Sequence, residues 1–330
     1  MMIPFDKKDG KIWYNSELVN WSDVKLHVLS HGLHYASCVF EGERVYDGSI
    51  FKLEEHTSRL FYSAERMGMK IPYSEKEIND ASNKIISVQN VENGYVRPTI
   101  WRGSEMMAIS AQQTKIHVLN HGLHYASCVF EGERVYDGSI FKLEEHTSRL
   151  FYSAKRMGMT IPYSEKEIND ACNKIISVQN VENGYVRPTI WRGSEMMAIS
   201  AQQTKIHVAI ATWEWGSYFD PKLKVEGIKL NISNWRRPAP NTIPWDTKAS
   251  GLYMICTLSK HEAEKEGYTD SLMLDHDGNV AEATGANIFF KDKNGEIHTP
   301  IPDSFLDGIT RRTVIEIAKS KGIKVQERKI

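Results

Sequence analysis

The stretch Asn234–Tyr253 reads NWRRPAPNTIPWDTKASGLY and places Lys248 directly after a segment with three prolines. Proline fixes φ and has no amide donor, so this segment predicts an ordered connector rather than a helix interior. A solvated lysine on a surface loop would be the ordinary interpretation. Two later segments argue against it: VAEATGANIFF, which carries Glu282, and LDGITRR, in which Gly308 precedes a helix.

Composition indicates an ordinary globular protein. Of 330 residues, 41% are hydrophobic and 25% are charged, with a formal net charge of -1. This length predicts about two domains, and the charge balance argues against nucleic-acid and membrane partners. The N-terminal MMIPFDKKDGK lacks the apolar core of a signal peptide, and no apolar run reaches transmembrane length.

The four cysteines are not spaced for a metal or disulfide framework. Cys38, Cys128, Cys172 and Cys256 form no CxxC pair. This pattern predicts neither a zinc site nor any other metal site, and it fits a reducing cytoplasm.

An internal repeat is the largest feature of the chain. Residues 31–118 recur as residues 121–208, an offset of 90. Only three positions differ: Glu65 against Lys155, Lys70 against Thr160, and Ser82 against Cys172. Such identity differs from the short, diverged repeats of solenoids and indicates a recent tandem duplication.

The repeat suggests a domain organisation. We predict a small α/β domain at 1-117, a near-identical second copy of most of it at 118-207, and a larger domain at 208-330. Similar tetrapeptides mark the joints, starting at Lys25, Lys115 and Lys205. Removing one copy leaves a chain that is shorter by 90 residues, the offset of the repeat. The motifs of this shorter chain follow one another without interruption.

Turn and cap signals predict the local structure. Asn15-Ser16, Asp47-Gly48, Asp137-Gly138, Asp277-Gly278 and Asn294-Gly295 are expected hairpin turns. Ser74 with Glu77, and their duplicates Ser164 and Glu167, form predicted capping boxes. GYVRPTIW predicts a strand, and RGSEMMAISAQQ a mobile loop. The C-terminal IKVQERKI predicts a strand that reaches the chain end, from which we expect a truncated last domain.

In their order, these motifs resemble the pyridoxal-phosphate enzymes of fold type IV, most closely the branched-chain amino acid aminotransferases. The resemblance covers essentially the whole chain once one repeat is set aside. It implies an α/β fold with a small domain, present here twice, and a larger sheet-and-helix domain. It also implies pyridoxal 5′-phosphate as cofactor and a homodimer. Family members continue past this C-terminus to a further glycine-containing turn.

The resemblance implies a role for each cofactor residue. Lys248 would hold the cofactor and move the substrate proton, Glu282 would face the pyridine nitrogen, and Tyr253 the phenolic oxygen. The phosphate would bind at the helix start formed by Gly308, Ile309 and Thr310, together with the arginine of the H-x-x-R-L motif. That arginine occurs as Arg149 and as its duplicate Arg59; we prefer Arg149 because the second copy joins the large domain.

The resemblance also implies substrate residues. Tyr185 and Arg187, with duplicates Tyr95 and Arg97, would form the side of the pocket that binds the α-carboxylate of the substrate. The aromatic pocket would be formed by Tyr125, Phe130, Trp215 and Tyr218, with duplicates Tyr35 and Phe40. An aromatic cluster is more often plain core, so motif context carries this prediction.

Three functions remain open at this stage. The first is exchange of an amino group between leucine, isoleucine or valine and 2-oxoglutarate. The second is a related fold-type-IV activity, that of a D-amino acid aminotransferase or an aminodeoxychorismate lyase. The third is a catalytically impaired remnant of duplication and truncation.

Overall fold

The computed structural model describes residues 3–104, 115–216 and 221–330. It divides into two compact units, one made of residues 1–128 and 191–207 and the other of residues 129–190 and 208–330. The second copy of the repeat therefore contributes to both units. The division at 117 and 207 that the repeat suggests remains a proposal.

The described residues of the first unit form short strands and four α-helices. Its strands are β1 (Lys11–Tyr14), β2 (Glu17–Asn20), β3 (Lys25–His27), β4 (Cys38–Phe40), β5 (Glu43–Tyr46), β6 (Ser49–Ile50), β7 (Gly94–Val96), β8 (Thr99–Trp101) and β9 (Lys115–His117). Its helices are α1 (His31–Tyr35), α2 (Leu53–Arg66), α3 (Glu75–Val88) and α4 (His121–Tyr125). The strands pair as β1-β2, β3-β9, β4-β8 and β6-β5-β7.

Most of the second unit follows the first in sequence. Its strands are β10 (Cys128–Phe130), β11 (Glu133–Tyr136), β12 (Ser139–Ile140), β13 (Gly184–Arg192), β14 (Ile206–Glu214), β15 (Leu230–Arg236), β16 (Asp270–Leu274), β17 (Val280–Ala283), β18 (Phe290–Lys291), β19 (Ile297–Pro300) and β20 (Val325–Arg328). Its helices are α5 (Leu143–Arg156), α6 (Glu165–Val178), α7 (Pro221–Glu226), α8 (Met254–Lys265) and α9 (Ile309–Ser320).

The described strands of the second unit form three sheets. Strands β10-β13-β11-β12 form one sheet, in which β14 also pairs with β13. The other two sheets have the orders β15-β16-β17 and β18-β19-β20. Strand β15 runs parallel to β16, and β19 runs parallel to β20. Mixed sheets combined with helices confirm the predicted α/β class.

The predicted turns and caps are confirmed. Asn15 and Ser16 both have positive φ, at 49° and 77°, as a two-residue hairpin turn with the favoured twist requires. Ser74 accepts the Glu77 amide while the Glu77 side chain accepts the Ser74 amide, which completes the capping box. The second copy repeats this arrangement at Ser164. The capping box depends on a few neighbouring residues, so both copies form it alike.

The GYVRPTIW segment differs between the copies. In the second copy it forms the continuous strand β13, which is buried along nearly its whole length and pairs with β14. In the first copy it divides into β7 and β8 on either side of Arg97 and Pro98. The chain after the first copy leads into α4 rather than into a long strand. The difference therefore follows from what each copy is joined to.

Two predictions fall partly or wholly outside the described residues. The predicted Met-rich loop of the first copy lies mostly within 105–114, and Tyr218 lies within 217–220; the structure describes neither range. Of the helices that are described, none has the length and apolar character needed to cross a membrane.

Candidate active site

Lys248 lies between the proline-rich segment and a short 3-10 turn, Ser250–Tyr253. Its amide donates to Ser153 Oγ at 3.0 Å, and its carbonyl accepts the amide of Phe130 at 3.2 Å. Both partners are distant in sequence, so the backbone is held by the second copy of the repeat. The side chain points to Tyr253, with 2.9 Å between Lys248 Nζ and Tyr253 Oη.

The surroundings of Lys248 favour its neutral amine. Burial lowers the pKa of Lys248, the negative charge of Glu131 acts in the opposite direction, and the positive charge of Arg149 lowers it further. The neutral amine is the form that attacks a carbonyl carbon and accepts a proton. The lysine is therefore prepared for nucleophilic and proton-transfer chemistry.

Tyr253 presents a protonated phenol to the same site. Burial raises the pKa of Tyr253 well above its usual range. Its ring lies 5.1 Å from the ring of Phe130, measured between centroids. The hydroxyl therefore stays a hydrogen-bond donor at neutral pH, next to the Lys248 amine.

Glu282 lies on β17 and is almost completely buried, with 9% of its surface exposed. Burial raises its pKa to about 7, against the opposing charges of Arg237 and Lys248. Arg237 Nε lies 3.4 Å from Glu282 Oε1, and Asn287 Nδ2 donates to Oε2 at 3.2 Å. A buried carboxyl group held in this way can face one more cationic group.

The two copies of the H-x-x-R-L arginine differ in exposure. Arg149 donates to Glu131 from Nε at 2.6 Å and from Nη2 at 2.8 Å, and Arg59 makes the equivalent bonds to Glu41. The side chain of Arg149 is 11% exposed, whereas that of Arg59 is 64% exposed. Arg149 Nη1 is buried and has no hydrogen-bond partner among the described residues. This atom can bind an anion.

The N-terminus of α9 is a second place for an anion. Gly308 is the N-cap residue, and no side chain in the described part of the chain caps this helix end. An added Cβ at Gly308 would lie 2.2 Å from Asn287 Oδ1, so a side chain here would displace Asn287. Asn287 also binds Glu282, which connects the helix start to that carboxyl group. Of the two predicted residues that follow, Ile309 is buried and Thr310 is exposed.

Aromatic rings and one arginine line the side of β13. The Arg187 guanidinium lies 4.7 Å from the ring of Phe130 and 5.3 Å from that of Tyr185. Tyr185 also packs against Trp213 and Trp215, with centroid distances of 5.2 and 4.9 Å. The second unit thus brings together an apolar wall and a buried cation.

Apart from Tyr218, which lies outside the described residues, the remaining predicted substrate residues belong to the first unit. Tyr125 Oη accepts both Nη1 and Nη2 of Arg97 at 3.2 Å, and its ring centroid lies 5.4 Å from that of Phe40. The ring centroids of Tyr35 and His31 are 4.6 Å apart. The duplicates Tyr95 and Tyr185 differ, with 54% and 6% of their surfaces exposed. The pocket role predicted for Tyr125 stays a prediction.

Sequence reasoning missed Glu131 and Arg237. Glu131 has no exposed surface; burial favours its neutral form, yet the charge of Arg149 holds its pKa far below the usual range. Arg237 is also buried and donates to the carbonyl of Leu252 at 3.1 Å. A signal was present in each case: an acid inside the apolar strand pattern CVFEGERVY, and an arginine next to the first proline of the connector.

Comparison with known proteins identifies the family of this chain. The model of the amino-transferase class IV family matches residues 38–127 and again residues 128–330. A probable branched-chain-amino-acid aminotransferase of Rickettsia conorii is 43% identical over 232 residues, 70% of this chain and 77% of the relative. The branched-chain-amino-acid aminotransferase of Pseudomonas aeruginosa is 41% identical over 235 residues, 70% of this chain and 76% of the relative.

Solved structures give the same result. A branched-chain amino acid aminotransferase from T.th., solved with pyridoxamine 5′-phosphate, has a TM-score of 0.64 at 35% identity, covering 67% of this chain and 74% of that one. The Escherichia coli branched-chain amino acid aminotransferase has a TM-score of 0.63 at 38% identity, covering 66% and 73%. With the family model matched along most of its length and relatives above 40% identity, this chain belongs to the class IV amino-transferases.

Proposed function

We propose that this protein is a branched-chain-amino-acid aminotransferase that exchanges an amino group between leucine, isoleucine or valine and 2-oxoglutarate, with pyridoxal 5′-phosphate as cofactor. The observation that carries the proposal is the Lys248 amine, whose pKa is lowered by burial and which lies 2.9 Å from Tyr253 Oη. The names of the relatives support the substrate class, and the solved structure with pyridoxamine 5′-phosphate supports the cofactor.

The site fits pyridoxal 5′-phosphate. The buried, unpartnered Nη1 of Arg149 and the start of α9, which lacks a side-chain cap among the described residues, suit a phosphate group. Glu282 would face the ring nitrogen, and Tyr253 would donate to the phenolic oxygen. When bound, the cofactor supplies an electron sink for the electron pair left on the substrate Cα.

Lys248 would move one proton. Its neutral amine, favoured by burial, would accept the proton from the substrate Cα at Nζ and release it again within the site. Tyr253 stays protonated because burial raises its pKa, so it does not compete for this proton. Lys248 Nζ donates to Tyr253 Oη, which holds the amine beside that hydroxyl.

Glu282 would tune the cofactor ring. Its pKa of about 7 in the described structure means that the ionised form is present near neutral pH. A cationic nitrogen close by would bring that raised pKa back down toward its ordinary value, since an opposite charge stabilises the ionised form. The ion pair would keep the ring nitrogen protonated.

The β13 wall would hold the substrate. Tyr185, Phe130 and Trp215 offer apolar surface for a branched side chain, while Arg187 offers a cation for the carboxylate. One methylene group changes binding by only about 1–3 kcal/mol in such pockets. All three branched-chain amino acids are therefore proposed substrates. Tyr125 and Tyr218 are kept as proposed pocket residues on the resemblance alone.

The absorption spectrum with pyridoxal phosphate tests this proposal. We expect a visible band of the bound cofactor that Lys248→Ala abolishes and that Lys155→Ala, a change in the last turn of α5, leaves unchanged. Leucine should convert this band to that of the pyridoxamine form, and 2-oxoglutarate should restore it. A protein that binds no cofactor, or whose band leucine does not change, is the impaired remnant.

A substrate panel separates the related activities. Turnover of L-leucine, L-isoleucine and L-valine supports the proposal. Turnover of D-alanine or of aminodeoxychorismate, with none of the L-branched substrates, would assign the chain to the D-amino acid aminotransferases or the lyases instead.

We further propose a cytoplasmic location and a role in branched-chain amino acid biosynthesis. Four cysteines that are all free thiols support a reducing compartment. For the assembly, the resemblance implies a homodimer, and the internal pairing described next offers a specific alternative to it.

A further inference from the structure

Strands β3 and β9 are the joint segments that lead into the first and the second HGLHYASCVF sequence, and their pairing is symmetric with respect to the repeat. The opposed residues are Lys25 with His117, Leu26 with Ile116, and His27 with Lys115. The 90-residue offset makes Ile116 the counterpart of Leu26, so the central pair joins a position to its own counterpart. A local twofold axis through this pair relates the two strands, and this is the signature of a self-complementary interface.

The helices that follow these strands meet in the same reciprocal way. An added Cβ at Gly32 would lie 2.9 Å from Leu123 Cδ1, and one at Gly122 would lie 3.0 Å from Leu33 Cδ1. Gly122 and Leu123 are the counterparts of Gly32 and Leu33. Each helix therefore places its leucine against the glycine of the other, and α1 and α4 approach closely.

A shared apolar core lies at this pairing. Val24, Leu26, Val118 and Leu123 are all buried and form one cluster, with relative exposures of 5% or less. Ile116 packs against this cluster. An interface with an apolar core made by both copies is typical of a stable association rather than of an incidental contact.

The described strands of the two copies are not exchanged between them. In the first copy β4 pairs with β8, and in the second β10 pairs with β13. The His31 amide donates to the Gly103 carbonyl, and the His121 amide donates to the Gly193 carbonyl, both at 2.9 Å. Each copy thus keeps its own internal pairing and meets the other through a separate face.

We infer that the face made by β3 and α1, with its equivalent β9 and α4, is a self-association surface of the repeat, and that each copy occupies the surface of the other within one chain. The inference concerns assembly and does not rest on the proposed transamination. Because this surface is already occupied within one chain, it is not available to join two chains. We therefore expect a monomer in place of the homodimer that the resemblance implies.

The pairing also carries a side chain from one copy to the other. Tyr125 of the second copy accepts two hydrogen bonds from Arg97 of the first, and its ring packs against Phe40 of the first. A residue of one copy therefore completes an arginine-aromatic cluster of the other. The contact between the two copies therefore includes an arginine and a tyrosine hydroxyl as well as apolar side chains.

Cysteine crosslinking tests the inference directly. In an antiparallel pair, opposed residues have Cα atoms roughly 4.5–5.5 Å apart, which a disulfide can bridge. Under mild oxidation, Leu26→Cys/Ile116→Cys should form a crosslink within one chain. The product keeps the mass of a monomer, 37.7 kDa for the parent chain, and migrates faster on a non-reducing gel. Because Cys38 packs against the same cluster, every variant also carries Cys38→Ala.

Two control variants should not form a crosslink if the inference is correct. The single variant Leu26→Cys should remain uncrosslinked, because its opposed position belongs to the same chain; a covalent dimer would instead show two chains meeting on the axis and overturn the inference. Lys25→Cys/Lys115→Cys places the thiols two residues out of register, about 8 Å apart, and should not crosslink. Absence of a crosslink in Leu26→Cys/Ile116→Cys would also overturn it.

A shortened chain provides an independent test. Removing residues 28–117 joins His27 to Val118 and leaves one copy with an unoccupied surface. Light scattering should show this chain as a dimer and the full chain as a monomer, and the single Leu26→Cys should now crosslink two molecules. A folded, monomeric shortened chain, or a full chain that is dimeric through this face, contradicts the inference. Loss of transaminase activity alone bears only on the proposed function.

Discussion

At the scale of single residues, the repeat provides an internal control. Arg59 and Arg149 lie in the same H-x-x-R-L motif and bind an equivalent glutamate with the same geometry. Of the two, only Arg149 is largely buried, and only Arg149 lies close enough to Lys248 to lower the pKa of that amine. The difference in exposure between two identical motifs therefore arises from their surroundings, and paired substitutions can measure whether their function differs as well.

We predict that Arg149→Gln weakens pyridoxal phosphate binding, whereas Arg59→Gln does not. A charged hydrogen bond contributes about 1.5–3 kcal/mol, so the dissociation constant should rise about 10- to 100-fold for Arg149→Gln. Absorbance titration with the cofactor measures both variants. Weaker binding in Arg59→Gln alone would show that the first copy serves the site.

Stability must be separated from binding in this experiment. Arg149→Gln leaves Glu131 buried without its main partner, which destabilises the protein irrespective of the cofactor. The double variant Glu131→Gln/Arg149→Gln should recover much of the stability to thermal unfolding but not the affinity. Recovery of both would assign Arg149 a purely structural role.

At the scale of elements, β13 shows how context determines packing. Tyr185 on β13 approaches Gly132 so closely that an added Cβ would lie 1.8 Å from its hydroxyl oxygen. In the first copy, Tyr95 approaches Gly42 with an equivalent distance of 2.0 Å. Tyr185 packs against two tryptophan rings of its own unit, whereas Tyr95 is more than half exposed. The same clash should therefore have different consequences.

We predict that Gly132→Ala destabilises the protein by about 1–3 kcal/mol, the usual cost of overpacking. Gly42→Ala should cost much less, because the exposed Tyr95 can rotate away. Urea unfolding of the two variants gives both free energies. Equal effects would mean that Tyr95 is as firmly held as Tyr185 and would contradict the described difference in exposure.

At the scale of the whole molecule, buried ionisable groups make folding depend on pH. Burial raises the pKa of Glu43 to about 7, helped by the charge of Glu41, and raises the pKa of Glu133 well above its usual range. Burial lowers the pKa of His124 to about 3. Each of these groups therefore binds protons differently in the folded and the unfolded chain, which makes stability change with pH.

We predict that in Glu43→Gln the free energy of unfolding decreases less steeply as pH rises from 4.5 to 7 than it does in the parent protein. Because its pKa is raised in the folded state, Glu43 keeps its proton in this interval after the unfolded chain has released it, so the free energy of unfolding falls as pH rises. Unfolding curves at several pH values measure the slope. Glu65→Gln, an exposed change on α2, should leave the slope as it is. An unchanged slope in Glu43→Gln would contradict the prediction.

The sequence by itself determined the features that depend on near neighbours. The hairpin turn at Asn15 and Ser16, the capping box of Ser74 and Glu77, and the helix start at Gly308 follow from a few adjacent residues and are confirmed. The repeat and the order of the motifs could also be recognised without a structure, because they are properties of the amino-acid sequence. The family and the α/β class followed from them.

Only the tertiary structure decided which copy of a residue is buried and which is exposed. Identical sequences cannot be told apart locally, so the different exposures of Arg149 and Arg59 depend on the strands and helices packed around each. The ion pair of Glu131, the approach of Arg237 to Glu282, and the symmetric pairing of the two copies join residues far apart in sequence. Burial and long-range contact are properties of the folded chain, and they set the chemistry of each copy.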